Sequence, residues 1–162
     1  MSWQSGQVIQ VAVCGPAVCT VAESAAAREV GALLARAGAV VLCGGYGGVM
    51  DAAAEGASHE GGLVVGILSG TDRSEASSHL AATVVTGMGQ ARNSILVGSA
   101  DAVIAVGGSW GTLSEIAIAL RRGIGPVISL GGWHITDAQN RPVPGPGLAH
   151  TPQQAVRLAL GR

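Results

Sequence analysis

The chain has 162 residues, a formal net charge of −1, and nine arginines but no lysine. The absence of lysine excludes both the Schiff base of pyridoxal-phosphate enzymes and the phosphate-binding residue of a Walker A loop. The near-neutral charge, the lack of a basic run and the presence of only three Trp and one Tyr argue against a nucleic-acid partner.

Apolar segments alternate with helix-like segments along the whole chain, and this alternation predicts a single domain over residues 1–162. Continuous apolar strands separated by helices are typical of an α/β fold, here a Rossmann-like doubly wound parallel sheet with helices on both faces. The strands are expected at residues 8–14, 39–43, 63–68, 82–86, 101–106 and 126–130.

Capping residues mark the ends of several helices. Thr20 and Glu23 form a capping box that opens a helix through Ala37, and Gly38 ends it. Thr151, with Pro at the next position, opens the last helix. Residues 131–148, between the sixth strand and the last helix, contain four Gly and three Pro. This composition predicts a loop, which has room for a short hairpin. The remaining helices are expected at residues 49–60, around Arg92 and at 112–122.

No apolar run approaches the roughly 18 residues of a membrane span, and no signal peptide opens the chain. We therefore expect a cytoplasmic protein without membrane contact. The three cysteines have no CxxC spacing, and Cys14 and Cys43 end apolar strands, where cysteine is usually a buried hydrophobe. The four histidines are scattered and no two have helical i, i+4 spacing, so we expect no metal site.

Three glycine-bearing turns follow expected strands, at Gly15, at 44–48 and at 107–111. The carboxyl ends of parallel strands share one sheet edge, where ligands bind near the reversal of strand order. A helix that opens there presents backbone N–H groups to an anion such as phosphate. We expect the third turn to bind phosphate and the first two to bind the rest of a nucleotide-like ligand. The phosphate set is Gly108, Ser109, Gly111 and Thr112, and the nucleotide set is Gly15, Gly44, Gly45, Gly48 and Asp51.

Three motifs together indicate a family: CGGYGGVM at 43–50, ARN at 91–93 and GGSWGTLSE at 107–115. They resemble the Lonely Guy phosphoribohydrolases and their molybdenum-cofactor-carrier relatives, which are often mislabelled as lysine decarboxylases. The hydrolase motif is an Arg followed by PGGxGTxxE, and the resemblance implies that Arg92 and Glu115 are its essential pair. Gly107, Ser109 and Asn93 depart from that motif, and SADAVIAVGG, SEIAIAL and LGGW look closer to the carrier branch.

Several of these residues also have a purely structural interpretation. Glu115 is spaced from Thr112 as in a capping box, which would make it a helix-end residue. Arg92 near a helix start is either a solvated surface group or a cation facing an anionic partner. Asp51 either touches a ribose or simply favours the start of its helix. Trp110 either stacks on a base or packs against another subunit.

The resemblance implies two main functions. The first is hydrolysis of the N-glycosidic bond of nucleoside 5′-monophosphates, with phosphate on the third turn, Arg92 orienting the ligand and Glu115 stabilising the oxocarbenium-like charge. The alternative is a carrier that binds molybdenum cofactor, or another nucleotide-like ligand, without turnover. A sensor whose pocket gates assembly is a third. No further cofactor is expected. A homodimer or larger homo-oligomer is expected, because helices at 24–37 and 116–120 carry few charges.

Overall fold

A computed structural model describes residues 6–162; residues 1–5 of the predicted domain lie outside the described part. The described chain contains seven strands and five α-helices. The strands are β1 (Gln10–Cys14), β2 (Val40–Cys43), β3 (Val64–Leu68), β4 (Ala82–Val85), β5 (Ala102–Val106), β6 (Val127–Leu130) and β7 (Gly147–Ala149). The helices are α1 (Val21–Arg36), α2 (Val49–His59), α3 (Arg92–Gly98), α4 (Trp110–Arg122) and α5 (Pro152–Ala159).

The strands form one parallel sheet in the order β4-β3-β2-β1-β5-β6-β7. Helices α1, α2 and α5 pack on one face, and α3 and α4 pack on the other. The strand order reverses between β1 and β5, which pair directly although α1 to α3 separate them in the chain. The predicted Rossmann-like doubly wound α/β fold is therefore confirmed, and its switch point lies between β1 and β5.

Helices α1 and α2 approach each other at backbone distance. A Cβ atom on Gly31 of α1 would overlap the carbonyl of Ala53, and one on Gly56 of α2 would overlap the carbonyl of Arg28. The contact is reciprocal, because each helix presents a glycine to the backbone of the other. The close approach of α1 and α2 therefore depends on small residues at their crossing.

The segment at 131–148, predicted to be a loop, differs from the prediction at its end. Residues Gly147–Ala149 form β7, a parallel edge strand on β6, and an antiparallel bridge joins Thr136 to Pro142 as a short hairpin would. Two of the three β7 residues are exposed, so the strand has no apolar run that would reveal it. An edge strand of this length forms because β6 offers it a pairing partner.

The start of α4 also differs from the prediction. The N-cap is Ser109, whose hydroxyl accepts a hydrogen bond from the Thr112 amide at 3.2 Å. Helix α4 therefore begins at Trp110, and Glu115 lies in its second turn rather than in a capping box with Thr112. No helix within residues 6–162 is both long and apolar enough to cross a membrane.

Candidate functional site

Three turns meet at the carboxyl edge of the sheet around the switch point. The first glycine turn (residues 15–20) follows β1, the second (44–48) follows β2, and the third (107–111) follows β5 and runs into α4. In the third turn, no described residue accepts a hydrogen bond from the backbone N–H groups at 108–111. Four free donors at a helix N-terminus form a surface that suits an anion.

Protein neighbours occupy the space next to most of the predicted nucleotide-contacting glycines. A side chain on Gly15 would meet Val49, one on Gly44 would meet Met50, and one on Gly45 would meet Leu68. Gly48 has φ of +62° and lies against the Pro16 carbonyl, so a larger residue would be strained there. These glycines are therefore needed for packing whether or not they also contact a ligand.

The phosphate-binding residues predicted in the third turn have different surroundings. Gly111 is exposed, and a Cβ atom there would meet only the Ser109 hydroxyl, at 3.8 Å. The Ser109 and Thr112 hydroxyls lie 2.9 Å apart, and Thr112 is buried. Gly108 is covered by the indole of Trp133. An anion can therefore approach the turn from the side of Gly111.

Arg92, the first residue of α3, is held in place by the chain itself. Its Nη1 donates to the carbonyls of Gly44 at 2.8 Å and Ile67 at 2.6 Å, and its Nε donates to Asn93 Oδ1 at 3.0 Å. The guanidinium also lies over the Tyr46 ring, 5.9 Å from the centroid. Nη2 has no hydrogen-bond acceptor among the described residues. Arg92 is thus a preorganised cation at the carboxyl ends of β2 and β3, not a freely solvated one.

Glu115 is a buried acid, with only 7% of its surface exposed. Burial raises its pKa to about 7, although the charge of Arg92 and a hydrogen bond with Cys14 both lower it. No cationic group within residues 6–162 lies within ion-pair distance of its carboxylate. A buried carboxyl that is about half protonated at neutral pH is typical of a functional site.

Arg92 and Glu115 lie on neighbouring helices of the same sheet face. Asn93 Nδ2 donates to Ser114 Oγ at 2.9 Å, and this bond joins the residue after Arg92 to the residue before Glu115. Cys14 is the last residue of β1 and lies at the switch point. Its thiol stays neutral, because burial and the nearby Glu115 carboxylate raise its pKa. The structure therefore places the two predicted residues close together, as the motif implies.

Asp51 makes contacts within the protein. Its Oδ1 accepts from Ser77 Oγ at 2.5 Å and lies 3.1 Å from His79 Nδ1. Both partners belong to the segment at 69–81 that connects β3 to β4. Asp51 therefore fastens this segment to α2, a role that the sequence did not indicate.

An apolar groove of about 450 Å³ opens beside the third glycine turn. One wall is the outer face of α4, including Ile116 and Leu120, and the other is the segment at 131–148. Trp133, which lines the groove, meets Trp110 edge to face, with the ring centroids 5.0 Å apart. The motif LGGW at 130–133 was the only sequence signal for this groove. The arrangement offers a planar apolar surface next to the amides that suit phosphate.

Comparison with known proteins agrees with this geometry. The chain is 34% identical to the molybdenum cofactor binding protein of Rippkaea orientalis. The match includes 97% of this chain and 98% of that protein, and the two structures superimpose with a TM-score of 0.86. The molybdenum cofactor carrier protein of Chlamydomonas reinhardtii is 29% identical over 96% of this chain and 100% of the carrier, with a TM-score of 0.79.

An uncharacterised protein of Archaeoglobus fulgidus is 45% identical over 117 residues, which are 72% of this chain and 77% of that protein. The sequence profile of the SLOG cluster4 family matches residues 8–154. The resemblance drawn from the three motifs is confirmed by these matches. The chain belongs to the SLOG cluster4 family.

Proposed function

We propose that this protein binds a phosphorylated, nucleotide-like ligand and carries it without turnover, and that the ligand is the molybdenum cofactor. The observation that carries the proposal is the third glycine turn, where four free N–H groups open beside an apolar groove bordered by Trp133. This arrangement matches a ligand that combines a phosphate with a flat ring. The similarity to two proteins named for binding that cofactor supports the choice.

Each part of the site has a distinct role in this proposal. The amides of Gly108, Ser109 and Gly111 hold the phosphate at the start of α4, where the helix dipole adds to their attraction. The free Nη2 of Arg92 contributes the positive charge, since the backbone carbonyls already fix the guanidinium. The indole of Trp133 lies against the ring system. The first two glycine turns complete the wall of the site, and Asp51 supports it through its contacts with 69–81.

The first experiment measures the cargo of the purified protein. After expression in a host that makes molybdenum cofactor, elemental analysis is expected to find molybdenum and oxidation is expected to release a fluorescent pterin. Gly111→Glu places a negative charge in the open space next to the phosphate and is expected to reduce the cargo at least tenfold. Gly111→Gln has nearly the same size without the charge, so it serves as the matched control.

Two results would contradict the carrier proposal. One is equal cargo in the Gly111→Glu and Gly111→Gln proteins, since the phosphate would then lie elsewhere. The other is the absence of molybdenum and pterin together with no calorimetric binding of AMP, GMP, ribose 5-phosphate or a pterin phosphate. The second result would remove the whole class of phosphorylated ligands.

Glycosidic hydrolysis is the second candidate function, and Glu115 is the observation that favours it. A buried carboxyl with a pKa of about 7 can stabilise a developing positive charge or position a water. Incubation with AMP, followed by chromatography for free adenine, tests this activity. Glu115→Gln is expected to lower base release about 100-fold, as for the loss of an electrostatic stabiliser. If no free base forms from a panel of nucleotides, the hydrolase function is excluded and the carrier proposal is favoured.

We further propose that the protein needs no additional cofactor, binds neither nucleic acid nor a membrane, and assembles as a homodimer or larger homo-oligomer. The start of α4 supports the last point, since Trp110 lies there outside the groove lining and is 79% exposed. Monomeric proteins rarely expose large contiguous apolar patches.

A further inference from the structure

One face of α2 carries a row of polar side chains that do not line the apolar groove. Asp51, Glu55 and His59 follow one another at intervals of four residues, so they share one side of the helix. His79 reaches this side from the segment at 69–81. Glu55, His59 and His79 each offer one ligand atom, and these three atoms lie within 4.8 Å of one another.

The contacts that orient Glu55 and His79 leave one possible ligand atom of each side chain free. Arg28 Nε donates a hydrogen bond to Glu55 Oε2 at 2.8 Å, and Arg28 Nη2 forms an ion pair with the same oxygen at 2.7 Å, so Oε1 stays available. Asp51 Oδ1 lies 3.1 Å from His79 Nδ1 and leaves Nε2 available. A carboxylate that holds one nitrogen of a histidine while the other binds a cation is the usual outer-shell arrangement of metal sites.

We propose that Glu55, His59 and His79 bind a divalent cation of the zinc class, with Asp51 orienting His79. Two imidazoles and one carboxylate are a common zinc donor set, which leaves a fourth position for water. Bond lengths of about 2.0–2.2 Å place neighbouring ligand atoms roughly 3.5 Å apart, so the side chains close in by about 1 Å. His59 is exposed at the end of α2 and has room to make that movement.

The local charge also favours a cation. With both histidines neutral, Asp51 and Glu55 supply two negative charges and Arg28 supplies one positive charge, so the cluster keeps a net negative charge. Glu60, the next acid along the chain, is paired with Arg36 at 2.6 Å and does not compete for the cation. The bound metal would join α2 to the segment at 69–81, whose Ser77 amide donates to the Gly45 carbonyl at 2.9 Å. The metal would therefore also brace the second glycine turn.

The sequence had indicated no metal site, because no two histidines have i, i+4 spacing. In the proposed site, the two ligands with that spacing are Glu55 and His59. The third ligand, His79, is 20 residues further along the chain. Only the fold brings it to the same helix face. The proposal does not rest on the carrier function, because it uses no observation from the third glycine turn.

Calorimetric titration of the untagged, chelator-treated protein with zinc chloride tests the proposal. The accessible thiol is removed in all samples by Cys19→Ser, so that zinc binding to cysteine does not contribute. We expect one zinc per chain, and we expect His59→Ala and His79→Ala each to weaken binding at least tenfold. Asp51→Asn is expected to weaken it by about 10-fold to 100-fold through the orientation of His79.

His150→Ala is the matched control, because His150 is exposed and lies outside the cluster. It is expected to bind zinc as the parent protein does. No zinc binding by the parent protein, or equal binding by the parent and the His59→Ala variant, would overturn the proposal. The His59 side chain is exposed and makes no hydrogen bond within residues 6–162, so its replacement is expected to leave the fold intact and that comparison is decisive.

Discussion

Glu115 gives the protein a pH dependence that its other acids do not. Its pKa in the folded state is about 7, against an ordinary value of 4.5, so the folded protein holds this proton more tightly than the unfolded chain. The stabilisation is complete below about pH 4.5 and is lost as the pH rises to 7. The shift corresponds to roughly 3 kcal/mol. We expect the wild type to lose about this much stability between pH 4.5 and pH 8, relative to Glu115→Gln.

Urea unfolding of both proteins at the two pH values measures the difference. Glutamine has the same shape and does not titrate, so subtracting its curve removes the contributions of all other groups. A stability difference between the two proteins that does not change with pH would show that Glu115 keeps an ordinary pKa.

The three cysteines are expected to differ sharply in reactivity. Cys14 and Cys43 are buried, and burial raises the pKa of the Cys43 thiol to about 11, whereas Cys19 is partly exposed. Because only the thiolate reacts, one thiol per native chain is expected to react with DTNB at pH 8 within minutes. All three are expected to react in urea. Rapid reaction of a second thiol in the native protein would contradict the burial of the strand ends.

Single residues of the site were only partly predictable from the sequence. The family motif singled out Arg92 and Glu115, but spacing alone favoured a capping role for Glu115. Ser109 and Thr112 both make good N-caps, and the sequence does not show which of them the turn after β5 will use. The contact of His79 with Asp51 was not predicted, because the two residues are distant in the chain and the segment at 69–81 has no regular structure.

At the scale of elements, the crossing of α1 and α2 depends on two glycines. Gly31→Ala is expected to destabilise the protein by about 1–3 kcal/mol, because the methyl group would overlap the Ala53 carbonyl and push the helices apart. Gly111→Ala is the matched control. It also lies in a helix but has open space around it, so the same change is expected to be neutral or to stabilise by up to about 1 kcal/mol.

Chemical unfolding of the two alanine variants measures these effects. Equal stability of the Gly31→Ala and Gly111→Ala proteins would mean that α1 and α2 do not touch at backbone distance.

Sequence patterns located the strands whose apolar residues form a continuous run. Six strands lie within two residues of their predicted limits. Five of them are largely buried, and β4 is an exposed edge strand with the sequence ATVV. Strand β7 was not predicted because Gly147 and Leu148 are exposed, and its pairing with β6 is a tertiary contact. The apolar groove was not predictable from the sequence either, because it forms only where α4 and the segment at 131–148 face each other.

For the whole molecule, we expect light scattering at micromolar concentration to report at least a dimer. Helix α1, which contributed to this prediction, packs against α2 and α5 within the chain. The exposed start of α4 at Trp110 is therefore the better candidate contact. Trp110→Glu is expected to shift the protein towards monomer. Leu63→Glu, at an exposed position before β3, is the control and is expected to leave the assembly unchanged.

A monomeric wild type would contradict the prediction of an oligomer. A dimer that persists equally in both glutamate variants would keep the oligomer but exclude the start of α4 as its contact.

The glycine contact between α1 and α2 also determines how the site can adapt to its ligand. Each helix begins directly after one of the first two glycine turns, and two backbones in direct contact cannot slide past each other without separating. The distance between these two turns is therefore fixed. Any adjustment to a longer or shorter ligand must come from the segment at 131–148, which forms one wall of the apolar groove. Relatives that accept different ligands are accordingly expected to differ most in that segment and least at the helix crossing.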